Sequence, residues 1–154
     1  MKRNRLFLLL IFALLTLSQV LAVSAQQAVT VTEDQINRTL RLEFAFNRNV
    51  NNARADLQPG QMVLTADIRV RERGQISLTN YAVEAVFVPV IDSRNRLTWQ
   101  IQSATANGQS ASESLTRIIN VAVGNGWREW ADDNRLPRRV SSVEITDSQM
   151  ILQP

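Results

Sequence analysis

The sequence has no cysteine and no histidine, a single lysine (Lys2) and a single tyrosine (Tyr81). Without Cys no disulfide can staple the chain, so a fold has to be held by packing alone. Without Cys and His the usual metal ligand sets are missing, and so are the thiolate nucleophile and the imidazole that activates Ser or Cys. Because Lys2 is the only lysine, a Ser–Lys arrangement beyond residue 25 is excluded as well. Carboxylates are what remains for catalysis, and the sequence predicts a protein that is not an enzyme and takes no cofactor and no metal. Proline and glycine are also few, four and five residues. No Pro/Ser-rich linker and no internal repeat divides the chain, so a single domain is expected.

What is present begins with a basic start, Met1-Lys2-Arg3-Asn4-Arg5, followed by the apolar run from Leu6 to Leu15 and the small-residue site Val23-Ser24-Ala25. These are the three parts of a Sec-type signal, with cleavage expected after Ala25 and a mature domain over residues 26–154. The alternative is an uncleaved membrane anchor, since only Thr16, Ser18 and Gln19 interrupt the apolar stretch before Val23. Of the 17 basic residues Lys2, Arg3 and Arg5 fall in the signal, which leaves 14 arginines against 14 acidic residues and a formal charge of zero. A balanced chain without a basic run has no footprint for a phosphate backbone, so no nucleic-acid partner is expected.

Beyond the signal, Val29 to Val31 reads as a short extended lead-in. Thr32-Glu33-Asp34-Gln35 then opens a helix, with Thr32 as cap, Gln35 as capping-box partner and two acids at the positive end of the dipole. Ile36, Leu40 and Phe44 form its apolar stripe, and Phe46 marks its expected end. The period then changes to two. Ala53, Ala55 and Leu57 alternate with polar residues, Gln58-Pro59-Gly60-Gln61 turns the chain, and Met62, Leu64, Ala66, Ile68 and Val70 form the dry face of a second strand. Arg73-Gly74-Gln75 is the next turn. A long strand follows from Ile76 to Ile91, with Pro89 pointing to an edge or a bulge, and with Val83 to Val90 apolar enough to be covered on both faces. Asp92 to Arg96 forms a loop before a fourth strand carrying Leu97, Trp99 and Ile101.

From Ala111 the helical period returns through Leu115, Ile118, Ile119, Ala122, Val123, Trp127 and Trp130, about 30 Å of helix. Gly124 and Gly126 predict either a break in it or a close approach by a neighbour. Val140 to Leu152 reads as a closing hairpin. The pattern is α+β, with an antiparallel sheet of about six strands packed around one long C-terminal helix and a shorter N-terminal one.

Little of this carries chemistry. Asp132-Asp133 lies beside Arg135, Arg138 and Arg139 and reads as a solvated cluster rather than an acid/base pair. Asp67 and Glu84 lie on strands with nothing to align them. Asn37-Arg38-Thr39 matches a glycosylation sequon but falls inside a helix. The arginines could hold anionic headgroups, although a compositional preference for Arg over Lys explains them more simply. The two tryptophans at the far end of the long helix suit either a packed core or the mouth of a pocket.

Val31 to Asn37 opening a helix, the Ala55 to Leu64 hairpin, Ser103 to Gly108 before the long helix and Val143 to Asp147 near the end together resemble the LmeA-type exported phospholipid-binding family of tubular lipid-binding (TULIP-like) domains. The resemblance covers most of residues 29–152. It implies a curved sheet wrapped on a long helix, an apolar groove for acyl chains, a phospholipid or fatty-acyl ligand and a membrane surface as partner, and it carries over no catalytic motif. The residues expected to line such a groove are Ile36, Leu40 and Phe44 of the first helix, Leu64 and Ile68 of the strand, and Leu115, Ile118, Ile119, Ala122, Trp127 and Trp130 of the long helix. The rival expectation is an envelope structural or protein-interaction domain with a fully packed core. A cystatin-like domain shares the helix-then-strands order, but Gln61 to Thr65 lacks the glycine of the cystatin binding loop.

Overall fold

The computed structural model describes residues 27–44, 48–71, 74 and 76–154, with Phe44 described in its backbone only. The export signal, the expected helix end at Phe46, and Arg73 and Gln75 of the expected turn lie outside the described residues. The fold is α+β, and the described residues form eight strands and two helices in the order β1 (Val29–Thr32), α1 (Glu33–Phe44), β2 (Val50–Gln58), β3 (Gln61–Val70), β4 (Thr79–Ile91), β5 (Leu97–Ala106), β6 (Gln109–Ser110), α2 (Glu113–Asp133), β7 (Ser142–Ile145) and β8 (Gln149–Gln153). The strands fall into two antiparallel sheets rather than one. The larger, curved sheet has the order β2-β3-β4-β5-β6, and the smaller has the order β1-β8-β7.

Helix α1 starts on the capping box its sequence predicts. The Gln35 amide donates to Thr32 Oγ1 at 3.2 Å, and the Thr32 amide donates to Gln35 Oε1 at 2.9 Å. The helix then lies along the free edge of β2 and satisfies it with side chains. Asn37 Nδ2 donates to the Ala55 carbonyl at 2.7 Å and Asn37 Oδ1 accepts from the Ala55 amide at 2.8 Å, while the Glu33 carboxylate accepts from the Leu57 amide at 3.0 Å. The spacing is commensurate, since four helical residues rise about 6 Å and two strand residues about 6.8 Å. An edge that would otherwise offer unpaired backbone groups is thereby closed.

Two bulges set which side chains face the helices. In β2 the register slips between Asn51 and Arg54, where Asn52 adopts φ 53° and donates from Nδ2 to the Asp67 carboxylate at 2.7 Å. The extra residue allows Val50 and Ala53 to share the inner face with Ala55 and Leu57. In β5 the slip at Gln102 keeps Trp99 and Ile101 inward before it and Ala104 and Ala106 inward after it. Pro89 lies opposite Trp99 on β4, beyond Phe87, where β3 no longer pairs with β4. A missing amide costs nothing at this local edge. The expected cover on both faces of β4 is not found: Val83, Ala85 and Phe87 are buried, but Val86 and Val88 are half-buried and Val90 is exposed. The strand also begins at Thr79 rather than Ile76, which is 93% exposed.

The small sheet closes one end of the molecule. The Gly60 amide donates to the Ile145 carbonyl at 3.1 Å, the Val140 amide to the Asn95 carbonyl at 2.7 Å, and the Glu33 amide to the Ser148 carbonyl at 2.9 Å. The β2–β3 turn, the β4–β5 turn and the start of α1 are thus tied to β7, β8 and the segment before them. Val31, Val140, Ile145, Met150 and Leu152 pack here with Leu57, Met62, Phe87 and Leu97 into one buried cluster. At the opposite end, where β3 leads through residues 71–78 into β4, no second sheet covers the strands among the described residues.

Candidate functional site

The inner face of β3 carries an unbroken apolar row, yet only Met62 in it is buried. Leu64, Ala66, Ile68 and Val70 are half-buried. They form the floor of an elongated apolar groove of about 250 Å³, neither sealed nor flat. Val50, Ala53 and Ala55 of β2 and Val83 of β4 extend the floor; Ile36, Thr39, Leu40 and Glu43 of α1 form one wall, and Ile118, Ile119, Ala122, Val123, Gly126, Trp127 and Trp130 of α2 the other. Of the 22 lining residues only Thr39, Glu43 and Asn49 have polar side chains. From Met62 to Val70 the floor runs eight strand steps, roughly 27 Å.

The groove exists because the two helices meet at one place and part beyond it. Trp130 Nε1 donates to Thr39 Oγ1 at 2.9 Å, and Thr39 in turn donates to the Gln35 carbonyl at 3.2 Å. Trp127 lies between Trp130, at a ring distance of 5.3 Å, and Trp99 on β5, edge-on at 5.6 Å. Three aromatic rings therefore bridge sheet and helices at the closed end. Trp99 is part of this wall rather than a separate strand tryptophan. Its indole N–H is buried and has no hydrogen-bond partner, a deficit of about 1–3 kcal/mol.

Nine of the eleven residues expected from sequence to line a groove do so: Ile36, Leu40, Leu64, Ile68, Ile118, Ile119, Ala122, Trp127 and Trp130. Leu115 does not. The Ala111 amide donates to the Ala104 carbonyl at 3.0 Å and holds the start of α2 on β5, so that Leu115, 1% exposed, belongs to the packed core. The Phe44 side chain lies outside the described residues. The glycines of α2 neither break the helix, which is continuous over Glu113–Asp133, nor admit a neighbour, because a Cβ at Gly124 or Gly126 would meet nothing within 4 Å. At Gly126 that empty space is part of the groove.

Val50, Ala53 and Ala55 of β2 and Ala66 of β3 also line the groove but were not among the residues expected to do so, although the alternation that carries Ala53, Ala55 and Ala66 was legible. The signal was that period of two, in which small residues leave volume above the sheet. Asn37 and Thr39 of the sequon turn out to be structural, one closing the β2 edge and the other receiving Trp130. Asp132 pairs with Arg138 at 3.6 Å on the surface, and neither it nor Arg135 and Arg139 lines the groove. No family model, no curated protein and no solved structure matches this chain.

Proposed function

We propose that this chain is an exported, non-enzymatic domain that holds a phospholipid or fatty-acyl chain in the groove between sheet and helices, and that it is akin to the LmeA-type lipid-binding family. The observation that carries the reading is the half-buried apolar row Leu64 to Val70. A domain with a fully packed core would have lowered α1 and α2 onto that row, since each buried side chain of this size contributes about 1.5–3 kcal/mol. Here about 250 Å³ is left lined by aliphatic and indole groups. An apolar cavity of about 150 Å³ already stays dry and takes small hydrocarbons. An extended acyl chain suits a long, narrow, apolar floor, and its carbonyl supplies an acceptor of the kind the buried Trp99 N–H lacks.

The polar side chains of the groove leave little for catalysis, because Thr39 is occupied by Trp130 and Gln35. Export through the signal before Gln26 places the domain where free lipid is handled outside the cytoplasm. Mass spectrometry of an organic extract of the purified mature protein tests the reading. Stoichiometric co-purifying acyl lipid is expected. An empty extract, together with unchanged tryptophan emission on adding a fluorescent fatty acid, would return the domain to the structural alternative.

A further inference from the structure

The open end of the molecule carries an unusual set of exposed groups. Leu42, 71% exposed in the last turn of α1, and Ile76 and Leu78, 93% and 43% exposed before β4, are three of the five large apolar side chains that stand in solvent among the described residues. All three belong to elements around the end of the groove away from the small sheet. Scattered apolar side chains on a surface are ordinary, but clustering at the mouth of an apolar groove is not.

The same end holds four exposed arginines: Arg41 on α1, Arg48 before β2, Arg69 at the end of β3 and Arg71 just after it. None of these four forms an ion pair with a described residue. Of the nearby acids, Asp67 is engaged by Asn52 and Glu43 faces the groove. Apolar tips beside unpaired guanidinium groups are the composition of a surface that sits in a lipid interface, where the tips enter the acyl boundary and the cations take headgroup phosphates.

We infer that this end docks on an anionic phospholipid bilayer, with Ile76, Leu78 and Leu42 in the interface, the four arginines on the headgroups and the groove mouth turned to the membrane. The inference rests on the lipid-binding reading above and adds where the lipid enters and what surface supplies it.

The test is co-sedimentation of the mature protein with vesicles of phosphatidylcholine alone or with about one third phosphatidylglycerol. The wild type should bind the anionic vesicles, and binding should weaken as salt rises. The double variant Arg69→Gln/Arg71→Gln should lose about 25-fold in affinity, fivefold per arginine near the surface. Ile76→Ser/Leu78→Ser should lose binding at every salt concentration. None of these four side chains lines the groove, so uptake of a soluble fluorescent fatty acid and the melting temperature should stay at wild-type values in both variants. Equal binding to neutral and anionic vesicles, or unchanged binding in both variants, overturns the docking surface. Fatty-acid uptake without any vesicle binding overturns it too while leaving the lipid-binding reading in place. Loss of uptake in the wild type itself would remove that reading instead.

Discussion

Two side chains do work that their residue type alone does not announce. Asn37 completes the edge of β2 by both donating to and accepting from Ala55. Asn37→Ala leaves an amide and a carbonyl of a half-buried edge without partners, and the expected loss is about 1–3 kcal/mol, read as a lower denaturant midpoint with unchanged slope. If the residue were instead a free sequon, Ala would be silent. Asp92 organises the β4–β5 turn. Its carboxyl is pulled from the ordinary 3.8 down to about 2, first by the Arg96 backbone N–H and then by the Arg96 guanidinium, with the Arg94 N–H adding to them. A folded value below the unfolded one means that the carboxylate's contribution to stability is fully present above about pH 3.8 and is lost as pH falls through about 2. A carboxyl-detected titration should find Asp92 still ionised at pH 3. A midpoint near 4 would mean that the turn does not hold it.

At the scale of elements, the sequence reading succeeded where one residue pattern answers to one partner. The capping box of α1, the alternation of β3 and the stripe of α2 all lie where the periods of 3.6 and 2 put them. It fell short where an element's environment changes along its length. Pro89 and the outer valines of β4 depend on how far β3 extends beside them, a matter of register that no single segment encodes. The α2 stripe likewise divides between two environments. Ile119 is buried where the core meets the groove wall, whereas the preceding Ile118 is half-buried in that wall. Ile119→Ala should therefore cost about 2–5 kcal/mol as a buried truncation. Ile118→Ala should cost clearly less, because it enlarges a space that is already open. The exposed pair Glu113 and Arg117, 2.6 Å apart, is an i,i+4 contact worth no more than about 0.5 kcal/mol. Urea denaturation of Ile118→Ala, Ile119→Ala and Arg117→Ala ranks them, with the last losing least, and equal losses at Ile118 and Ile119 would mean the groove is filled by protein in solution.

For the whole molecule, the groove is the difference between a closed end and an open one, and that difference is hardly visible in sequence. The small sheet seals its end through three backbone hydrogen bonds between segments far apart in the chain. Nothing in the apolar row of β3 says that Met62 is buried in the cluster at the closed end while Leu64 to Val70 stay half-buried. Nine lining residues could still be read in advance because any apolar stripe must face the interior, whether that interior is packed or empty. What the sequence hid is the emptiness itself, and Gly126 is the residue through which to probe it. Its Cβ position is open, it has no positive φ, and it sits in the middle of α2. Replacing Gly by Leu in a helix interior should gain somewhat under 1 kcal/mol from propensity alone, so Gly126→Leu is expected to melt at or above the wild-type temperature. The new side chain would stand in the space left for a guest. Affinity for a fluorescent fatty acid should fall at least about tenfold, the equivalent of about 1.4 kcal/mol, while Gly124→Leu, outside the groove lining, should leave it unchanged. Stability that holds while binding falls, at one glycine and not at its neighbour two residues away, is a result a merely packed core has no means of producing.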